Sequence, residues 1–514
     1  TQSVGSYASK NVGSGILVTA NLASTDFSPT GQTILTNYTL PTSVSGNIGS
    51  ITPASVSVSG VTAASKVYDG SIAATLSGGR LAGVLAGDSV ALGTLSGSFA
   101  DKNVGTAKVV TVSGLTLGGT DAGNYVLGTS SLAASADITP KTLGVSAITA
   151  ASRVYDGTTL ASVSGGSLSG AIAGDAVALV APTGNFADPN VGVAKPVTLS
   201  GLALSGADAA NYALPAVAPA VAADITVRPL STWTGAVSNL WSDPKNWDAL
   251  PVGSNVLAVS IPAGAVVVRD TSAAPATLQS IDSGGVMNVS GGSLTVSSAL
   301  STAQYTQTGG SVTGSGSLAV TNSFSQSAGS IALGGPVSIT QAQGDLTVGA
   351  ISASGISLAA PNGGIFQTDA QVTGGVLAVN SAKGALLNNA GNRVAAFSAS
   401  SSGAGNIELT NVGAINVLGI NAANGNVRLF NTGGISTSGA VVATNGSVSM
   451  TANSPLTVGA GGISANGDIA LTATNLTSSG NMAINGDLNS ATGGIALNAA
   501  NDFTQNAVMR AAQG

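Results

Sequence analysis

The sequence predicts an all-β chain, in which tandem small β-sandwich-like repeats are followed by a right-handed parallel β-helix. One group of residue marks recurs at an interval of 87 residues, and Asn-Gly pairs recur at 21 residues nearer the end of the chain. Charged residues make up 7% of the 514 positions, against about 25% in an average soluble domain. Val, Ile and Thr are abundant and favour strands, so we do not expect disorder.

The composition also excludes several classes of function. Cysteine and histidine are absent, which removes disulfides, thiolate chemistry, the usual general base and the usual zinc ligand. The 15 basic residues are scattered and the net charge is −6, whereas nucleic-acid binding needs a clustered basic footprint. No apolar run approaches the ~20 residues of a membrane helix. We therefore expect neither nucleic acid as a partner nor a membrane span.

The 87-residue interval joins the marks of two complete repeats. Tyr155 repeats Tyr68, and the same interval separates further pairs of motifs, namely Gly174-Asp175 and Gly87-Asp88, Phe186-Ala187-Asp188 and Phe99-Ala100-Asp101, and Asn211-Tyr212 and Asn124-Tyr125. Such unbroken spacing indicates one folding unit copied in tandem. We predict a truncated repeat at 1–56 and complete repeats at 57–142 and 143–228. Since the counterpart of Tyr68 would precede Thr1, the chain is expected to be a piece of a longer protein.

The Tyr-Asp-Gly triplet of each repeat favours a turn in which Asp caps the backbone, Gly takes a positive φ and Tyr packs across the strands. We therefore expect Tyr68 and Tyr155 to be buried structural residues. The alternative interpretation is a calcium site, because calcium takes about six to eight oxygen ligands. Its candidate ligands are the aspartates of the two repeats, Asp69, Asp88, Asp101, Asp156, Asp175 and Asp188. No other cofactor is expected.

These marks resemble the YDG and MBG repeats, which are mostly-β, glycine-rich modules of large bacterial exoproteins. The resemblance covers roughly residues 1–228 and rests on Val67-Tyr68-Asp69-Gly70, Phe99-Ala100-Asp101 and Asn124-Tyr125. The first copy departs from the pattern, with Tyr7-Ala8-Ser9 in place of Phe-Ala-Asp. That departure weakens a calcium role for the aspartate at this position.

Residues 229–284 interrupt the 87-residue period and contain all three tryptophans, Trp233, Trp241 and Trp247. Their segment resembles the W-x-G…W-x-x-x-x-N-W entry module that often precedes β-helical passengers. A stacked sheet cannot begin on a bare edge, because unpaired strand edges aggregate. We therefore predict that the tryptophans form an aromatic plug over the first turn of the β-helix. The alternative is an aromatic platform for sugar rings, since aromatic side chains are good amphipathic contact surfaces.

Residues 285–514 carry the shorter period. Asn424-Gly425, Asn445-Gly446 and Asn466-Gly467 are spaced by 21 residues, and a short strand-forming run follows each pair. One turn and one alternating strand every ~20 residues are typical of a parallel β-helix. Val427, Val448 and Ile469 should then stack in one sheet.

This region resembles the filamentous-haemagglutinin-type passengers of two-partner secretion systems, through glycine-led turns such as those at 355–360 and 494–499. The resemblance implies a rod-like, secreted adhesin or biofilm-matrix scaffold at the surface of a Gram-negative bacterium. The implied partners are surface glycans or exopolysaccharide, further copies of the chain, and an outer-membrane transporter. A stalk of a contact-dependent toxin-delivery exoprotein is an alternative function.

The β-helix is also the fold of polysaccharide lyases and of many glycoside hydrolases, so a polysaccharide-degrading enzyme is the second alternative. Glycosidases need two carboxylates a few ångström apart. Glu408, the only glutamate, and Arg428 are 20 residues apart and are expected on adjacent turns, where a surface ion pair is the simpler interpretation. We expect no catalysis.

Overall fold

The computed structural model describes residues 3–128, 131–453, 455–475 and 480–512. The chain ends Thr1 and Gly514, named above as bounds of predicted regions, lie outside the described residues. The regular structure described is strand, apart from short 3₁₀ turns at Ser24–Asp26, Leu35–Asn37, Ala122–Asn124, Ala209–Asn211 and Pro244–Asn246. Within the described residues, no helix has the length and apolar character needed to cross a membrane.

The described part of the repeat region contains the strands β1 to β24. In chain order these are Ser6–Tyr7, Gly13–Asn21, Ser43–Ile51, Ala54–Ala63, Lys66–Val67, Ala73–Ala74, Leu76–Ala82, Ala91–Leu92, Ser96–Phe99, Gly105–Ser113, Leu117–Gly118, Tyr125–Leu127, Leu132–Thr139, Lys141–Thr142, Gly144–Ala150, Arg153–Val154, Leu160–Ala161, Val163–Ser169, Ala178–Val180, Thr183–Phe186, Gly192–Ser200, Ala203–Ser205, Tyr212–Ala213 and Val221–Thr226.

The described part of the second region contains the strands β25 to β51. In chain order these are Arg228–Thr232, Val256–Ile261, Val266–Arg269, Ala276–Val289, Ser293–Gly314, Ser317–Leu333, Val337–Thr340, Leu346–Val348, Ala350–Ala360, Ile365–Gln367, Val372–Ser381, Ala385–Leu387, Arg393–Ala404, Ile407–Asn411, Ile415–Asn424, Val427–Asn431, Ile435–Thr437, Val441–Ala443, Val448–Ala452, Leu456–Val458, Ile463–Ala465, Ile469–Ala473, Met482–Ile484, Leu488–Ser490, Ile495–Ala499, Phe503–Gln505 and Met509–Ala511.

The chain divides into two compact units. One comprises Thr1–Ala150, Ser162–Gly184 and Thr198–Val221, and the other comprises Ala151–Ala161, Asn185–Val197 and Ala222–Gly514. The third repeat contributes segments to both units.

The second and third repeats have the same strand order. A five-stranded sheet runs β5-β13-β10-β9-β6 in the second repeat, and the corresponding strands of the third run β16-β24-β21-β20-β17. The core of the first unit contains Tyr68, Phe99, Val110, Ala136, Ile138, Leu143 and Tyr212. Phe99, Val110, Ala136 and Ile138 are inward side chains of the five-stranded sheet of the second repeat. The predicted all-β repeats are therefore confirmed.

The repeats begin a few residues before the predicted boundaries at 57 and 143. Strand β4 starts at Ala54 and pairs in parallel with β12 of the same repeat. Likewise β14 starts at Lys141 and pairs in parallel with β23. Each opening strand is therefore part of the repeat that follows it, and the sequence marks, which lie further on, did not reveal it.

The strands β25 to β51 form one continuous parallel ladder, a β-solenoid of about 12 turns in the described residues. Val427 lies beside Val448, and Val448 beside Ile469, which confirms the predicted stack. Side chains alternate along β40, where Val427, Leu429 and Asn431 are buried while Arg428 and Phe430 are exposed. The right-handed sense of the winding stays a prediction.

The solenoid begins earlier than the predicted boundary at 285. Strand β25 already pairs in parallel with β26, with Arg228 beside Val256, so the predicted junction at 229–284 lies inside the solenoid. The first turn is 28 residues long on this pairing, and it has none of the Asn-Gly turns that mark the later period. The tryptophan-containing excursion lengthens the turn and so conceals the period from sequence inspection.

Candidate functional site

The Tyr-Asp-Gly triplets form the turns that were predicted. Tyr68 and Tyr155 are 1% and 3% exposed, and the glycines that follow them, Gly70 and Gly157, have φ values of +77° and +79°. The Asp69 carboxylate accepts a hydrogen bond from the amide two residues further on, at 2.9 Å. The tyrosines are therefore core residues at the base of a capped turn.

The second and third repeats meet around one buried carboxylate, Asp175, whose side chain is 4% exposed. Lys102 of the second repeat places its Nζ 2.7 Å from Asp175 Oδ1 and 3.6 Å from Asp208. The hydroxyls of Tyr68 and Tyr212 both donate to Asp175 Oδ2, at 2.7 and 2.6 Å. One carboxylate thus joins two tyrosines and a lysine drawn from both repeats.

The electrostatics of this cluster favour its charged form. The hydrogen bond from Lys102, followed by those from Tyr212 and Tyr68, lowers the pKa of Asp175 to about 2. The same contact with Asp175 raises the pKa of Lys102, and burial raises the pKa of Tyr68. At neutral pH these contacts therefore favour an ionised Asp175 beside a protonated Lys102 and a neutral Tyr68.

An amide pair lies beside the charged cluster. Asn211 accepts a hydrogen bond from the backbone amide of Val104 at 2.9 Å and donates to the side-chain oxygen of Asn103 at 3.1 Å. Asn211 ends the 3₁₀ turn Ala209–Asn211 and is buried. Because both groups of its side chain are used, the Asn-Tyr mark is a docking element for the preceding repeat.

The first and second repeats meet in the same way. Lys10 lies 2.8 Å from Asp88, and the Tyr125 hydroxyl donates to the same carboxylate at 2.7 Å. Asn124 donates to the side-chain oxygen of Asn11 at 3.0 Å. The truncated first copy lacks the Phe-Ala-Asp mark but keeps the Lys-Asn pair that contacts the next repeat.

The third repeat keeps the asparagine contact of this arrangement and lacks the lysine contact. Pro189 occupies the position of the lysine, while Asn190 accepts a hydrogen bond from Asn255 at 2.9 Å. Asn255 in turn accepts from the backbone amide of Val191 at 2.9 Å. Sequence reasoning missed Asn255, because it lies outside the 87-residue spacing and is followed by Val256 in place of tyrosine.

The six candidate calcium ligands do not converge. The structure places each carboxylate against a lysine or arginine nitrogen, at 2.5 to 2.8 Å. The pairs are Asp69 with Lys66, Asp88 with Lys10, Asp101 with Lys108, Asp156 with Arg153, Asp175 with Lys102 and Asp188 with Lys195. In the described ranges, no group of three or more His, Cys, Asp or Glu side chains is placed to hold a metal ion.

The three tryptophans form a packed cluster at the start of the solenoid. Trp233, Trp241 and Trp247 are 4%, 1% and 5% exposed, and Trp247 meets each of the others edge-on at centroid distances of 4.9 and 4.6 Å. Buried rings leave no face on which a sugar could stack, so the platform interpretation is wrong. The burial agrees with an aromatic plug.

Two polar residues are also buried at the start of the solenoid. Asn246 is fully buried; it donates to the Ser238 hydroxyl at 2.8 Å and to the Leu240 carbonyl at 2.9 Å. Arg269 is also fully buried, with its guanidinium 5.2 Å from the Trp241 ring, and burial lowers the pKa of Arg269 to about 10. Sequence reasoning did not single out Arg269, since an arginine in a strand gives no sign of its burial.

Glu408 and Arg428 lie side by side on adjacent turns, as predicted. They do not form the predicted ion pair, which is absent from the contacts of the described residues. Glu408 instead accepts hydrogen bonds from the side-chain amides of Asn388 and Asn406, each at 3.0 Å. Its carboxylate therefore faces outward while its position is fixed by uncharged donors.

Comparison with known proteins identifies part of the chain. The YDG domain model matches residues 52–133 and 139–220, which are the second and third repeats. No curated protein and no solved structure matches the chain. The chain therefore contains two YDG domains followed by a β-solenoid, a combination compatible with a rod-like, adhesin-type scaffold.

Proposed function

We propose that this chain is a non-catalytic scaffold of a secreted bacterial adhesin or biofilm matrix. In this proposal the YDG domains form a spacer, and the solenoid is a stiff arm that carries the binding surface. Its partners are surface glycans or exopolysaccharide, or further copies of the same chain. Export of the filamentous-haemagglutinin type, through an outer-membrane transporter partner, belongs to the proposal and follows from the resemblance in sequence.

The observation that carries the spacer role is the repeated junction. The Lys102 and Asn103 contacts to Asp175 and Asn211 recur as the Lys10 and Asn11 contacts to Asp88 and Asn124. A flexible linker between folded modules would need no such contacts, because linkers rich in small polar residues behave as random coils. Repeated specific contacts across successive junctions instead restrict bending, which a spacer that holds a binding surface away from the cell requires.

The surroundings of Glu408 support a non-catalytic role. A glycosidase places a second carboxylate close to the first, so that one acts as an acid and the other as a base or nucleophile. The side chain in register with Glu408 on the next turn is Arg428, and the one on the preceding turn is Leu386. Neither of these neighbours can serve as the second carboxylate.

Binding without cleavage can be tested with a panel of polysaccharides. We expect the purified chain to be retained by at least one polysaccharide and to release no reducing ends during prolonged incubation. Because few charges are available for screening, retention should change little between low and high salt. Affinity per chain should be weak, and several copies on one bead should bind more strongly through multivalency.

Two outcomes would contradict the proposal. Release of reducing ends that disappears in Glu408→Gln would show a catalytic site and overturn the non-enzyme part. Failure to bind any polysaccharide, by both monomeric and bead-coupled protein, together with absence of self-association in sedimentation, would overturn the scaffold part.

A further inference from the structure

One outward-facing patch of the solenoid combines an exposed aromatic side chain with a carboxylate and a guanidinium. It is formed by the outward side chains of three stacked strands, β38, β40 and β43. These are Glu408, Thr410, Arg428, Phe430, Ser449 and Thr451, and we call them the Phe430 face. Together with Asn388 and the edges of two core leucines they line a shallow groove of about 280 Å³.

Phe430 is 51% exposed. Its neighbours in register are Thr410 on the preceding turn and Thr451 on the following turn, and Thr472 continues the column. The column therefore carries threonine on both turns that flank Phe430, and it ends in Asn498 on the turn after Thr472. Threonine and phenylalanine both favour strands, so the ladder does not require an aromatic ring at this position. The exposed ring offers a flat apolar contact surface that threonine lacks.

The polar groups beside the ring form a complementary pair. Glu408 lies next to Arg428 in register, and adjacent turns of a parallel ladder are about 4.8 Å apart. The amides of Asn388 and Asn406 hold the carboxylate from its own side. The exposed guanidinium of Arg428 has no hydrogen-bond or ion-pair partner among the described residues. One fixed acceptor and one free donor group thus point outward beside an exposed ring.

We propose that the Phe430 face binds a neutral pyranose unit of a polysaccharide. The inference rests on the proposed function and names the site and the ligand class for it. The apolar face of a pyranose ring stacks on Phe430, as sugars do on exposed aromatic rings. Two neighbouring hydroxyls of the sugar lie over the charged pair, where one donates to the Glu408 carboxylate and the other accepts from Arg428. The hydroxyls of Thr410, Ser449 and Thr451 border the same groove and contact the adjoining sugar units.

The charge of the face selects neutral sugars over acidic ones. Glu408 and Arg428 cancel in net charge, and the other side chains that line the groove are uncharged. The carboxylate of a uronate would be attracted to Arg428, but it would also lie close to Glu408. Like charges at short range repel each other. A neutral sugar can form hydrogen bonds with both groups through its hydroxyls, without electrostatic repulsion.

The test compares the whole chain with Phe430→Thr by calorimetric titration. The probes are oligosaccharides of neutral glucan, galactan and mannan, with an oligogalacturonate as the acidic probe. Threonine is the residue of the neighbouring turns at this position, so the variant should keep its fold and melting temperature. We expect a neutral oligosaccharide to bind the native chain and Phe430→Thr to weaken it about five- to tenfold. Glu408→Gln and Arg428→Ser should each weaken it as well.

A matched control separates the site from general surface effects. Val376 is also an exposed apolar residue of a solenoid strand, and Val376→Thr should leave the affinity unchanged. Binding that is equal in the native chain and Phe430→Thr would overturn the site while leaving the proposed function standing. Tighter, salt-sensitive binding of oligogalacturonate would overturn the neutral ligand class. Absence of binding to every probe, with retention on whole polysaccharides also lost, would instead remove the proposed function itself.

Discussion

The repeats and the solenoid are stabilised by different interactions. Of the ten ion pairs among the described residues, eight lie within the repeats, and a ninth, between Arg228 and Asp248, lies in the first turn of the solenoid. The tenth, between Arg510 and Asp487, joins side chains that are 63% and 57% exposed. Apart from Arg269, the buried polar side chains described in the solenoid are uncharged amides and hydroxyls. One of them is Gln326, which donates to Gln307 on the preceding turn at 3.2 Å.

This difference follows from what each region has to specify. A repeat must dock one particular surface of the next repeat, and a buried charge with its partners distinguishes right from wrong pairings more sharply than apolar contact does. A solenoid turn only has to stack on a turn of similar shape, for which parallel backbone pairing and small inward side chains suffice. The repeats should therefore respond to loss of single side chains and to acid, and the solenoid should respond mainly to loss of buried volume or buried amides.

The largest expected effect is that of removing the aromatic core of a repeat. Tyr68→Ala deletes a ring that is 1% exposed and should destabilise the repeats by about 3–5 kcal/mol, as large buried truncations do. Tyr68→Phe keeps the ring and loses only the hydrogen bond to Asp175, so its effect should be smaller. Urea unfolding followed by tyrosine absorbance measures both, because six of the seven tyrosines lie before residue 213. Equal midpoints for Tyr68→Ala and the native chain would show that the ring does not support the core.

Sequence inspection anticipated much of this fold. The 87-residue spacing located the repeats and their buried tyrosines, and the Asn-Gly spacing located the turns that stack Val427, Val448 and Ile469. The two spacings predict the structure well because each copy contains the same local element, which is a capped turn in the repeats and an inward apolar side chain in the solenoid. The parallel pairing starts at β25, before the predicted boundary at 285, and its first turn is long and carries the tryptophan excursion.

The sequence could not reveal which side chains the repeated aspartates contact. Asp175 was considered as a calcium ligand, since a spaced set of aspartates has the chemistry of a metal site. In the structure Lys102 comes from the preceding repeat, and such a long-range pairing leaves no trace in local spacing. The burial of the tryptophans agrees with the predicted plug, and their alternative as a sugar platform could be rejected only once that burial was known. Phe430 was not predicted to be a site residue, because a single aromatic residue in a strand is more often buried.

A smaller effect is expected from the buried amides of the solenoid. Asn431 donates to the carbonyls of Gly413 and Gly434, at 2.7 and 2.8 Å. Asn431→Ala would leave these groups without that donor and should lower the solenoid's unfolding free energy by about 1–3 kcal/mol. Alanine already fills the corresponding position of the next turn, Ala452, so the backbone tolerates it. The control is Asn421→Ala at an exposed position of β39. An Asn431 variant as stable as this control would show that the amides are dispensable.

The smallest effect is expected from the exposed ion pair of the solenoid. Arg510→Met removes a cation 3.6 Å from Asp487, and such exposed pairs contribute about 0–1 kcal/mol. The melting temperature should therefore stay within experimental error of the native value. Lys102→Met, which leaves Asp175 buried without its cation, should lower the melting temperature of the repeats clearly. Similar responses to the two substitutions would remove the contrast between the regions.

Acid tests the contrast most directly, through hydrogen exchange measured by mass spectrometry from pH 6 to pH 2. The folded-state pKa of Asp175 is about 2, below the value of about 3.9 for an unfolded aspartate. Its stabilising contribution is therefore fully present above about pH 4 and is lost as the pH falls towards about 2. With labelling times corrected for intrinsic exchange, peptides around Lys102, Asp175 and Asn211 should lose protection across this window. Peptides of β40, β43 and β46 should keep theirs, because backbone pairing and amide side chains do not titrate there. Loss of protection in both regions at the same pH, or in the solenoid first, would contradict the account.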